Sequence, residues 1–196
     1  VFIDIAFGGI YYVMFSWLFN KGFSIWILGY AIFMSFLLPD SDGIVFALWE
    51  HACKFFGWEF KLRHHKIYHW PLVMITAVSI LVYLFTQDVY LVCISLTGLL
   101  YHYIHDSLPP DPGPQWGVPI NQKHYCIERT EKGYRIISRT RKEFFEIVRE
   151  FWEKKGKNGA TTSVEISEAL KLTPMSVSLL AIAAIANISF WLATSL

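Results

Sequence analysis

Charge is scarce in this chain. Asp, Glu, Lys and Arg make up only 17% of its 196 residues, whereas 54% are hydrophobic and the mean hydropathy is +0.38. Soluble domains of this size are usually more polar, so the balance points to a lipid environment. Cysteine is scarce too. Cys53, Cys93 and Cys126 form an odd set with no paired spacing, which excludes a disulfide framework and reads as reduced thiols in a cytoplasm-facing protein. Internal repeats and low-complexity tracts are missing. No motif reads a nucleotide, a flavin or a nucleic-acid sequence, so no nucleic-acid partner is expected.

What the chain has instead is apolar length. Residues 3–20, 23–38, 70–86, 89–105 and 175–196 each approach the ~20 residues that cross a ~30 Å hydrocarbon layer as a helix. The first run lacks a basic leader and a small-residue cleavage site, so it reads as a retained helix rather than a signal peptide. The expected fold is an all-α polytopic membrane protein of about five transmembrane helices with a small cytoplasmic α+β insertion. Residues 1–120 are its membrane helical domain, 121–174 a cytoplasmic hairpin with amphipathic helices, and 175–196 a C-terminal transmembrane helix.

Basic residues set the orientation. Residues 121–174 hold 12 Lys and Arg against 8 acids, while the rest of the chain holds 5 against 8. That places 121–174 in the cytoplasm and, counting back through the spans, the 39–69 connection on the same side.

Between the fourth and fifth runs the texture changes. Pro109, Pro110, Pro112, Pro114 and Pro119 break the preceding helix and hold an irregular loop. Residues 123–139 read as a hairpin, with Tyr125 and Ile127 on one arm, Tyr134 and Ile136 on the other, and Glu131-Lys132-Gly133 as the turn. Residues 140–155 put Phe144, Val148, Phe151 and Trp152 on one helical stripe, which suits either a membrane surface or packing on the hairpin. Thr162 and Glu165 make a capping box for a helix running to about Leu172.

The ionisable residues gather at the ends of the apolar runs: Asp40 and Asp42, then His64, His65 and His69, then His102, His105 and Asp106. Charges near hydrocarbon are costly unless compensated, most simply by a metal ion. His102 and Asp106 stand four apart on a helical segment and so share a face; His65 and His69 have the same spacing. Asp40 and Asp42 follow Pro39 at a helix end, where an acid-x-acid pair can hold a cation. Mixed carboxylate and imidazole ligation suits a divalent zinc or manganese ion, with iron also fitting. Standing alone, His51 and His124 read as surface histidines, and Trp70 and Trp116 as interfacial aromatics.

The same residues carry a resemblance. Leu38-Pro39-Asp40-Ser41-Asp42, then His64 with His69 five positions on, then His102-Tyr103-Ile104-His105-Asp106 leading to Gly117-Val118-Pro119, resembles the YdjM-type family of bacterial inner-membrane metal-dependent hydrolases. The match spans roughly residues 35–120. It departs from the family pattern at His65-Lys66, where Arg-Gly is usual, and at Trp70, where Ser is usual. The resemblance implies Asp40, Asp42, His64, His69, His102 and Asp106 as metal ligands and an inner-membrane location, and the count of basic residues turns that site to the cytoplasm.

As a hydrolase, such a site works through metal-activated water, and a spare His65 or His105 could move protons. Arg63 and Lys66 favour an anionic group, which points to a phosphate ester or another anionic lipid-like substrate presented by the bilayer. Two alternatives stand beside it. His65 to His69 and His102 to His105 resemble fragments of the histidine boxes of membrane di-iron hydroxylases and desaturases, although those require about eight histidines and this chain has seven. The other is a non-catalytic, metal-stabilised membrane protein. Residues 121–174 could recruit a protein partner, which no motif identifies.

Overall fold

The computed structural model describes residues 2–41, 52–53, 55–56, 70–108, 113–131, 133–140, 142–144, 146–147, 150 and 172–195. Five α-helices and one hairpin account for most of them: α1 (Phe2–Leu18), α2 (Ile25–Ile32), α3 (Pro71–Thr86), α4 (Val89–His105), β1 (His124–Thr130), β2 (Gly133–Arg139) and α5 (Pro174–Ser195). The chain divides into two compact units. One comprises Val1–Pro39, Ile75–His102 and Leu170–Leu196, the other Asp40–Met74 and Tyr103–Ala169.

The helix boundaries correct the expected membrane architecture. Among the described residues, only α5, with 22 residues and a mean hydropathy of 1.9, is long and apolar enough to cross a bilayer. At 17 residues α1 and α4 rise about 25 Å, short of a ~30 Å hydrocarbon layer, and α3 is shorter still at 16. Local chemistry cuts each run. Asn20 turns left-handed at φ 52° and ends α1, Gln87 does the same after α3, and Ser24 caps α2 through its hydroxyl. Asp88 then starts α4 by accepting the Tyr90 N–H at 2.9 Å. The polytopic reading of about five transmembrane helices is therefore replaced by a mostly helical chain with, among the described residues, one candidate span and a two-stranded antiparallel sheet. One candidate span gives no sidedness.

In the first unit α1 packs against both α2 and α5. Tyr11, Tyr12, Ala31, Tyr90 and Ile94 form its core, with Phe23 and Phe190 edge-on to the Tyr12 ring. Two adjacent glycines permit the close approach. A Cβ on Gly9 would meet the Asn187 amide at 3.0 Å, and one on Gly8 would lie 2.8 Å from Ser35 Oγ and 2.9 Å from Ile32 Cα. Because that last atom is backbone, Gly8→Ala is expected to cost about 1–3 kcal/mol, seen as a lower thermal midpoint. An unchanged midpoint would show that α1 and α2 separate freely.

In the second unit the hairpin expected over 123–139 is present, with Ile127 paired to Ile136 and the ladder closing at the Thr130–Gly133 pair. The outer edge of β1 is also used: Tyr125 N–H donates to Pro114 O and Ile127 N–H to Ser107 O. Arg139 pairs with Glu128. Burial pushes the Cys126 thiol up, and Arg139 partly offsets this. After β2 the chain is helical at 142–144 and 146–147.

The capping box at Thr162 and Glu165 lies outside the described residues, but an equivalent stands at Thr140. Its N–H and hydroxyl both donate to Glu143 Oε2, at 2.6 and 2.8 Å, and its Oγ1 accepts the Glu143 N–H. Those bonds hold the Glu143 carboxyl below its usual 4.5, the backbone bond most of all. A depressed carboxylate stabilises the folded state above the unfolded value and loses that contribution as pH falls through the folded one. The cap is thus expected to be intact at pH 7 and to fail below about pH 4.5. Glu143→Gln should flatten that part of an acid-unfolding curve, and an unaltered curve would discount the cap.

Candidate metal centre

Pro39 governs the local geometry. In a regular α-helix the Ser35 carbonyl would accept the N–H of residue 39, but proline has none, and its ring crowds the carbonyl four residues back. The helix widens in response. Phe33–Leu37 is a π turn, with Leu38 N–H bonded to Phe33 O at 2.9 Å. Single π turns of this kind recur at functional sites.

The Ser35 carbonyl turns instead to α4, where His102 Nδ1 lies 3.1 Å away. A carbonyl only accepts, so Nδ1 carries the proton, and in the neutral ring Nε2 holds the lone pair. His102 is 2% exposed. An imidazole held through Nδ1–H by a backbone carbonyl is the usual second support of a metal-ligating histidine. The chemistry of His102 therefore fits a metal ligand.

Ser35 also reaches α1, donating its hydroxyl to the Asp4 carbonyl at 2.8 Å. Asp4 is itself 2% exposed, and the sequence reading passed over it. A signal was present: Asp4 is the only acid among the first 39 residues and the only charge in α1. Ser35 thus links the Asp4 backbone to the His102 ring, and an Asp as buried as Asp4 is seldom found unless paired.

The other candidates are distributed as follows. Asp40 is half-buried in the turn after the π segment, His105 is the last residue of α4, and Asp106 opens the turn beyond it. That turn tightens, with Ser107 N–H bonded to both Tyr103 O and Ile104 O. His102 belongs to the first unit, whereas Asp40, His105 and Asp106 belong to the second. Asp42, His64, His65 and His69 lie outside the described residues. Among the described residues, no three His, Cys, Asp or Glu side chains gather as a metal-binding group.

His124 departs from its expected role as a surface histidine. It is 5% exposed, stacked on Phe144 with ring centroids 3.8 Å apart, and its Nδ1 donates to Gly113 O at 2.9 Å. Its Nε2 then accepts from Gln115 Nε2 at 3.1 Å, while Gln115 Oε1 accepts from the Trp70 indole at 2.9 Å. Trp70 and Trp116 are likewise anchored in the second unit, the latter donating to Ser107 Oγ at 2.9 Å. These are positioning contacts for the loop before the hairpin.

No protein-family model matches the chain, and no curated protein or solved structure matches it either.

Proposed function

We propose that the chain is a membrane-associated, metal-dependent hydrolase acting on a phosphate ester or another anionic lipid-like substrate, in line with its resemblance to YdjM-type proteins. The observation that carries this reading is the buried His102 ring, tautomerically set by the Ser35 carbonyl at 3.1 Å. Asp40, Asp42, His64, His69 and Asp106 complete the ligand set on the strength of the sequence pattern alone. A bound divalent ion supplies a water of lowered pKa and offsets charge on the substrate oxygen. His105, half-buried at the end of α4, and His65 are the groups proposed to carry protons. α5 serves as the membrane anchor of a bacterial inner-membrane protein.

The test is elemental analysis of the detergent-purified full chain beside Asp40→Ala and His102→Ala variants of matching circular dichroism. Zinc or manganese near one or two ions per chain, lost from both variants, is the expected result. A wild type that stays metal-free after refilling would remove the hydrolase reading.

A further inference from the structure

The second unit contains a cavity of 370 Å³ lined by Ile104, Ser107, Trp116, Tyr125, Ile127 and Ile136, with Gly117 and Cys126 completing its wall. Its size falls within the range of small-ligand pockets and is well above the ~150 Å³ that suffices for benzene. The wall offers almost no directional chemistry. The Ser107 hydroxyl donates to Tyr103 O at 2.8 Å and accepts the Trp116 indole N–H, so both of its roles are used within the protein. Cys126 is 1% exposed. A ligand that fills such a space is held by hydrocarbon contact.

The rim narrows the choice. Ile136 is 75% exposed and Tyr134, two residues along the same strand face, is 71% exposed, so the rim presents a contiguous apolar patch rather than one scattered side chain. Strand alternation puts Arg129 two residues from Ile127 on the same hairpin face, and the register sets it opposite Tyr134, two residues from Ile136. Arg129 is exposed. A cation therefore stands on the face that carries the apolar wall, as an anionic headgroup requires.

We infer that the cavity is a binding site for one acyl chain of an anionic amphiphile, with the hydrocarbon in the pocket and the acidic head on the Arg129 side. Although Ile104 and Ser107 of its wall flank His105 and Asp106, filling this cavity needs neither metal nor turnover, so its failure leaves the hydrolase reading untouched, and the reverse also holds.

The test holds the full chain in an amphipathic polymer free of detergent and titrates it with decanoate brominated at its terminal carbon, which quenches tryptophan on contact. The expected result is a saturable loss of part of the emission, reversed by plain decanoate and missing from Trp116→Phe. Ile136→Glu, at an exposed position that leaves the fold intact, should weaken binding about tenfold or more by setting an anion beside the chain. Arg129→Gln should weaken brominated decanoate about threefold and leave brominated decanol unaffected. Quenching that rises linearly with ligand, or that persists in Trp116→Phe, overturns the site. Equal responses of the acid and the alcohol to Arg129→Gln overturn the anionic head.

Discussion

Replacing Pro39 with alanine is expected to weaken divalent-metal binding about 10- to 100-fold while changing global stability by no more than about 1 kcal/mol. The substitution restores an N–H four residues after Ser35, where a regular helix needs it. The Ser35 carbonyl, now 3.1 Å from His102 Nδ1, then has a backbone donor in its own helix. His102 loses the partner that sets its tautomer and orientation. The stability terms nearly cancel, because the regained helical bond offsets the lost proline rigidity and packing. Competition against a chelator measures the affinity. Imidazole ¹⁵N shifts of the metal-free chain report the tautomer separately: Nδ1-protonated in the wild type, mixed in Pro39→Ala. A variant that keeps the Nδ1-protonated form would show that Pro39 does not control the ring.

Gly113→Ala is expected to be the most damaging single methyl in the second unit, costing roughly 4–5 kcal/mol. Gly113 has φ +86°, and a Cβ there would sit 1.9 Å from Tyr125 O and 2.5 Å from its carbonyl carbon. Neither contact can yield, because both atoms belong to β1. Moving the loop instead would break the His124 bond to Gly113 O and the Tyr125 bond to Pro114 O. The effect should appear as fast amide exchange at Tyr125 and Ile127, with α1, α2 and α5 still protected. Retained protection at Tyr125 would mean that the loop and strand are not locked together.

How much of this was legible beforehand depends on the range of the interactions. The hairpin was, since alternation in 124–130 and 133–139 and a turn at Gly133 are local signals, and the Ile127 to Ile136 pairing follows from them. The membrane spans were not. Counting apolar residues cannot see Asn20 and Gln87 leave the helix at positive φ, nor Ser24 start a new one. Pro39 was correctly read as a helix end, but its larger effect lies four residues upstream and matters only because His102 arrives from α4. Asp4 went unnoticed because an acid in a first helical turn is ordinary until its burial is known. His102 acquires an oriented partner that sequence spacing could not supply, and His124 exchanged a surface role for a buried one through a loop contact with Gly113.

The packing of α1 on α5 has a consequence for biosynthesis. Asn187 Nδ2 donates to Gly9 O at 3.1 Å across 178 positions, and Phe23 N–H donates to Thr194 Oγ1 across 171. At ribosomal rates of about 5–20 residues per second, α1 waits on the order of ten seconds or longer for the helix that covers it. Throughout that interval its apolar flank is a ready target for aggregation, so the nascent chain depends on a chaperone or a lipid surface as a temporary cover. Slowing translation between Pro71 and Pro174 lengthens the exposure and should lower the yield of folded protein without altering a single contact in the finished molecule.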